Sequence, residues 1–339
     1  MACYHRHPDF QEQASEAIKQ GVNTDPNNTN ATEQVVNVSS GKVNLEGTLC
    51  LPAAPVSHSV LMLPDSGPMD RNQNSAQAQL NIFNSIANHL ADHGIASLRF
   101  DKRGCGKSKG DFNKTGHSDL VADAKSWLDF MQTQSAISDS RLFVLGHGEG
   151  TLISPQLIKF DDRIAGQILL MPFAENYETI IRRQAENGLL DIQNMEGFRG
   201  SLLRFFLKLS GDQLAKQKKL IARIRKSKRS TIKIRKQVIN AKWIREMVSC
   251  NPIHIHSNVS KPTLLIGGAK DLQCRSEDVN TIAALLQGPV EQHIFSDLTH
   301  ILRADPEQPS IRHYLTLSLL DLDGRVLNCI TNWLHQQSE

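Results

Sequence analysis

Apolar and polar positions alternate over Gln34–Val38 and again over Lys42–Leu51, on either side of a Ser-Ser-Gly turn. Period-two alternation around a turn predicts a β-hairpin. The pattern then changes. Ser59–Leu63 is a continuous apolar run, as expected of a strand buried on both faces. Gln77–His93 places Leu80, Phe83, Ile86, Ala87 and Leu90 at helical spacing and stops at Gly94. Strand and helix go on alternating. Strands are predicted at Ile95–Phe100, Arg141–Leu145, Ile164–Met171, Thr263–Ile266 and Val290–Phe295, and helices at His117–Gln134, Gly150–Lys159, Glu277–Leu286 and Asp323–His335. This order calls for an α/β fold, with a mostly parallel central sheet, helices on both faces and right-handed crossovers.

Two stretches break the alternation. Residues 172–258 read as helical, with Ile234, Val238, Ala241 and Val248 at helical spacing, and predict a cap inserted between two sheet strands. Residues 1–33 are polar and end in NTDPNNTNAT, which predicts a flexible N-terminal segment. The core is then 34–171 and 259–339.

Charge sharpens the picture of the cap. Lys216–Glu246 holds thirteen Lys/Arg against one acid, a net +12 on a chain whose total is +3. Two readings stand. One is a solvated helical face whose long stems cover apolar surface. The other is contact with an acidic partner: anionic lipid, a phosphorylated substrate or nucleic acid. Trp243 is the single aromatic in the segment, which disfavours single-stranded nucleic acid. No apolar run approaches a transmembrane span, and the N-terminus has no apolar signal region. The six cysteines are widely spaced, so reduced thiols and a cytoplasmic setting are expected.

The candidate chemistry begins at Leu142–Gly150, a buried strand followed by Gly146-His147-Gly148-Glu149-Gly150 and a helix. That context matches a nucleophile elbow, G-x-S-x-G, with Gly148 at the central position. A dinucleotide loop would need glycine where Thr151 sits, and a Walker A loop would need it at Asp101.

Four further segments extend the match: Leu63–Arg71 (LPDSGPMDR) after a strand, Arg99–Ser108 (RFDKRGCGKS) after the next, Gly267–Asp271 (GGAKD), and Leu298-Thr299-His300. With these the chain resembles the α/β-hydrolase superfamily, especially capped bacterial esterases and serine peptidases, over residues 34–339. The resemblance implies an α/β-hydrolase fold and a Ser-Asp-His arrangement. His300 would be the general base, oriented by Asp271. Backbone N–H groups of Ser66 and Glu149 would form the oxyanion hole. Gly148 would be a vacated nucleophile position. His147, the Arg103 turn and the Glu149 side chain are read as structural, and Cys274 as a packed thiol.

Three functions remain open. The first is a carboxylic-ester or thioester hydrolase lineage, inactive or strongly impaired as written, acting on a small molecule, with an anionic one left open by the basic cap. The second is a non-catalytic protein that binds a ligand or partner. The third is a His-Asp general-base enzyme without a covalent intermediate. None implies a metal or organic cofactor.

Overall fold

The computed structural model describes residues 31–234 and 236–337. In chain order its elements are β1 (Thr32–Ser40), β2 (Val43–Leu51), β3 (His58–Leu63), α1 (Ile82–Asp92), β4 (Ile95–Phe100), α2 (His117–Met131), β5 (Arg141–His147), α3 (Gly150–Phe160) and β6 (Ile164–Leu170). Next come α4 (Tyr177–Gln193), α5 (Gly197–Ser210), α6 (Gln213–Lys226), β7 (Thr231–Ile234), β8 (Gln237–Asn240), α7 (Ala241–Ser249) and α8 (Pro252–His256). The chain closes with β9 (Thr263–Gly268), α9 (Glu277–Leu285), β10 (Val290–Phe295), α10 (His313–Leu317) and α11 (Gly324–Gln336).

Eight strands form one sheet in the order β1-β2-β4-β3-β5-β6-β9-β10. β2 pairs antiparallel with β1 and β4, and every other pairing is parallel. All six residues of β3, β4 and β9 are buried, which is why these strands read as apolar runs without alternation. α1 packs on β4 and α11, while α2 and α3 pack on each other. The parallel strands aim their C-terminal ends at one edge, where ligand sites of open α/β sheets lie.

Three expectations need correction. Residues 1–30 of the expected N-terminal segment lie outside the described residues. Thr32 and Glu33, however, begin β1: Thr32 pairs with Leu51, and Glu33 meets the buried Arg99 at 2.6 Å. Cross-strand pairing outweighs the polar composition there. The helix expected from Gln77 starts only at Ile82. Reciprocal hydrogen bonds between Asn74 and Asn81 hold the preceding residues in turns, with Asn81 left-handed at φ 50°. In the cap, Ile234 and Val238 lie on the β7–β8 hairpin rather than on a helix. Thr-Ile-Lys-Ile alternates with period two, and the hairpin buries Ile232 with Ile224 and Ala241.

The described basic residues sit on α6, the connection after it, the hairpin and α7, and several are paired within the protein. Arg225 meets Glu178 at 2.8 Å, Lys242 meets Asp119 at 2.5 Å, and Arg245 donates to the Ser227 carbonyl at 2.7 Å. Among the described residues no helix is long and apolar enough to cross a membrane, and the five described cysteines are unpaired.

Candidate active site

β5 ends at His147, the chain turns through Gly148 and Glu149, and α3 starts at Gly150. The turn is tight because the flanking glycines allow it. A Cβ on Gly146 would strike the Gly150 carbonyl, and one on Gly150 would strike the Leu63 carbonyl of β3. Gly148 is left-handed, at φ 51°, and its N–H donates to the Leu170 carbonyl at 3.1 Å.

His300 lies in the loop after β10. The Thr299 N–H and hydroxyl both donate to the Arg303 carbonyl, and Arg303 reaches the Leu80 and Leu320 carbonyls. That loop is therefore anchored to two distant parts of the chain. Asp271 lies in the turn after β9 and accepts N–H bonds from Gln273 at 2.6 Å and Cys274 at 2.9 Å. Its other oxygen accepts from His300 Nδ1 at 2.7 Å. The structure thus brings Gly148, Asp271, His300, Ser66 and Glu149 to one place at the C-terminal edge of the sheet.

A sixth residue completes the site, and sequence reasoning missed it. Asp65, in the loop after β3, occupies the space beside Gly148. A Cβ built on Gly148 would fall on the Asp65 carboxylate, far inside van der Waals contact. Asp65 Oδ2 lies 3.0 Å from His300 Nε2, and Oδ1 accepts the Glu149 N–H at 3.1 Å. The Ser66 N–H also supports the ionised carboxylate. The Glu149 N–H, one of the two assigned by resemblance to an oxyanion hole, therefore holds this carboxylate. The signal was present as an acid in the LPDSGP loop, but nothing local ties it to a missing side chain 83 positions later.

His300 now faces a carboxylate at each ring nitrogen. Ionised carboxylates only accept hydrogen bonds, so both nitrogens donate and the ring is an imidazolium. Burial alone would push its pKa down, but Asp271 and Asp65 outweigh that and hold it well above the usual histidine range. Conversely, burial opposes ionisation of Asp65, yet the His300 charge and hydrogen bond keep its carboxyl below the usual range. The general base expected at His300 is therefore already protonated in the resting site.

A second buried network supports the first. Lys102 donates to the Asp65 carbonyl and meets Glu149 at 3.1 Å, with both side chains only 1% exposed. Glu149 also accepts from Trp243 Nε1 at 2.7 Å and from His117 Nδ1 at 2.9 Å. Burial raises the Glu149 pKa, but Lys102, His117 and Trp243 overcome this and pull it down to about 2. Its side chain thus joins elbow, core and cap. His147 bonds Gln73 at 2.9 Å and the His300 carbonyl at 3.0 Å. Arg103 pairs with Asp123 at 2.6 Å, away from the site residues. Burial pushes the Cys274 thiol up to about 12. Asp271, Cys274 and His300 place three potential metal donors within 4.8 Å, but the histidine nitrogen is bound to Asp271 and the thiol stays protonated.

An open cleft of about 420 Å³ lies between α4 of the cap and the Asp271 turn. Its wall sets three arginines against four carboxylates, so this cleft does not favour an anionic molecule.

Comparison with known proteins agrees with this fold. The Hydrolase_4 model, described as serine aminopeptidase, S33, matches residues 77–307. Esterase EstD of Thermotoga maritima is 24% identical over 315 residues, covering 91% of this chain and 68% of that protein. Est1E of Butyrivibrio proteoclasticus, solved with ferulic acid, superposes with a TM-score of 0.59 at 13% identity, over 89% of this chain and 98% of its own. Esterase Pf2001 of Pyrococcus furiosus gives 0.57 at 16% identity, over 94% and 96%. Identities this low establish the shared fold.

Proposed function

Because the chain belongs to the Hydrolase_4 family, serine aminopeptidase S33, we propose that it is a carboxylic-ester- or thioester-directed member of a serine-hydrolase lineage in which the seryl route is closed. Glycine cannot form an acyl-enzyme, and losing the nucleophile of a triad costs on the order of a millionfold in turnover. His300 and Asp271 keep the roles of proton carrier and orienting acid. The N–H groups of Ser66 and Glu149 keep that of the oxyanion hole. One observation carries this reading: the Asp65 carboxylate fills the place of a side chain at 148 and bonds His300 at 3.0 Å. The closure thus rests on two positions together, the acid at 65 and the glycine at 148. A resting imidazolium also disfavours direct base catalysis by His300, which has no free nitrogen to accept a proton.

The test is labelling with a serine-directed fluorophosphonate. The protein as it stands takes no label. Gly148→Ser alone takes none, because Asp65 still holds the space and the histidine. Asp65→Gly/Gly148→Ser takes label at position 148. Efficient labelling of the single variant, or a folded double variant that stays unlabelled, contradicts the reading.

A further inference from the structure

We propose that Asp65 is a catalytic residue, the covalent nucleophile of a thioester hydrolysis, and that Gly148 is the room made for it. This rests on the assignment of His300 and Asp271 made above. Asp65 Oδ2 stands 3.0 Å from His300 Nε2, where the attacking atom of this constellation belongs. Oδ1 sits on the Glu149 N–H at 3.1 Å. The backbone of Asp65 is clamped by Lys102, itself tied to the buried Glu149. The carboxylate is thus fixed from both ends, with one oxygen at the attack position and the other in the hole.

The chemistry balances as follows. Oδ2 attacks the acyl carbon of the thioester and the C–S bond breaks. The departing thiolate takes the Nε2 proton of His300, leaving a mixed anhydride and a neutral imidazole. That imidazole accepts a proton from water as the water attacks Asp65 Cγ. The oxyanion forms on Oδ1, where the Glu149 N–H already points. The Cγ–Oδ2 bond then breaks and the product carboxylate leaves. The resulting aspartic acid loses its proton to solvent, and the resting ion pair returns. Net, one thioester and one water give a carboxylate, a thiol and a proton.

This sequence names the substrate class. Displacement by a carboxylate needs a leaving group not far more basic than itself. A thiolate, whose conjugate acid has a pKa of about 8.5, can serve, whereas an alkoxide cannot. The resting imidazolium, unsuited to activate a serine, suits this first step because it supplies an acid before it must act as a base.

The experiment is turnover of S-octanoyl-N-acetylcysteamine in oxygen-18 water, with mass spectrometry of the peptide containing Asp65, and ethyl octanoate as the oxygen-ester control. The expected result is thioester turnover, no alkyl-ester turnover, and heavy oxygen in the Asp65 side chain. Asp65→Asn should lower turnover by about 10³-fold or more while the fold is retained. Thioester turnover without heavy oxygen in Asp65, or unchanged in Asp65→Asn, overturns the proposal. If the native protein turns over no thioester while Asp65→Gly/Gly148→Ser reacts with fluorophosphonate, Asp65 is a plug and only the nucleophile assignment fails. If the double variant is also inert, the assignment of His300 and the hole fails with it.

A separate observation carries a second inference. On α5 the apolar side chains Phe198, Leu202, Leu203, Phe205, Phe206 and Leu209 are all exposed, and the only charged residues are Arg199, Arg204 and Lys208. The next helix, α6, carries six Lys/Arg and no acid. A second copy docking through the same face would meet like charge here. The structure assigns this part of the cap to an anionic lipid surface, with aromatic side chains in the headgroup boundary and cations at the phosphates. Flotation with phosphatidylcholine vesicles should show binding only when phosphatidylglycerol is included. Phe198→Ser/Phe205→Ser/Phe206→Ser should weaken it about tenfold or more. Absent binding, binding indifferent to the triple variant, or a dimer that the triple variant dissolves would each overturn the assignment.

Discussion

Asp65 and Gly148 share one volume, and a double-mutant cycle on stability measures that sharing. Gly148→Ala places a Cβ at φ 51°, a left-handed strain of about 1–3 kcal/mol. It also drives the Asp65 carboxylate off His300 and the Glu149 N–H. Breaking a buried charge pair costs about 3–5 kcal/mol. The single variant should therefore lose roughly 5 kcal/mol. Asp65→Gly removes one of two carboxylates from His300 and should lose roughly 3 kcal/mol, because Asp271 remains. In the double variant the collision is gone, and only the left-handed strain adds to the loss of Asp65. Its cost should be roughly 5 kcal/mol rather than the sum of the two, a coupling of about 3 kcal/mol. Urea unfolding of the four proteins provides the values, with equal m-values as the check on two-state behaviour. Additivity within about 0.5 kcal/mol would refute the shared volume.

Further outcomes follow from the buried polar groups. Lys102→Met leaves Glu149 charged without its cation and should cost about 3–5 kcal/mol in urea, while Lys102→Met/Glu149→Gln recovers part of the loss. Asn240 caps α7 through the Trp243 N–H and also donates to the Phe112 and Thr115 carbonyls, so Asn240→Ala should cost about 2 kcal/mol in the same assay. Burial lowers the pKa of His147 and of His256 to about 4. Between that value and the ordinary 6.5 the unfolded chain binds more protons. The contribution of these two rings is therefore full above about pH 6.5 and falls as pH drops toward about 4. Urea midpoints that stay flat across this window would contradict the burial of both rings in neutral form.

Much of this architecture is legible in the sequence because the parallel strands are short apolar runs and their helices are amphipathic. The turns that carry Gly148 and Asp271 follow directly after such strands, whereas His300 follows β10, whose Val-Glu-Gln-His-Ile-Phe is half polar. Other features were not legible, for physical reasons. The β7–β8 hairpin has four-residue strands inside a basic stretch, too short for alternation to outweigh helical spacing. The start of α1 is set by side-chain bonds between Asn74 and Asn81, which periodicity does not report. Asp65 was invisible as a site residue because its meaning depends on a void at Gly148 and a ring at His300, 235 positions away. Glu149 was read as a helix-starting acid. Its role as a buried hub with Lys102, His117 and Trp243 exists only once cap and core meet.

The central claim is that the Asp65 carboxylate pairs with His300 in the place a nucleophilic side chain would hold. The most direct measurement is nitrogen-15 NMR of the His300 ring in the native protein and in Asp65→Asn. The account predicts protons on both ring nitrogens at about neutral pH. Because the folded pKa is raised, that state should persist above the ordinary 6.5 and be lost only as pH rises through the folded value. In Asp65→Asn the midpoint should move down. A ring that is neutral at about pH 7 in the native protein, with one nitrogen bare and a titration unchanged in Asp65→Asn, would contradict the account.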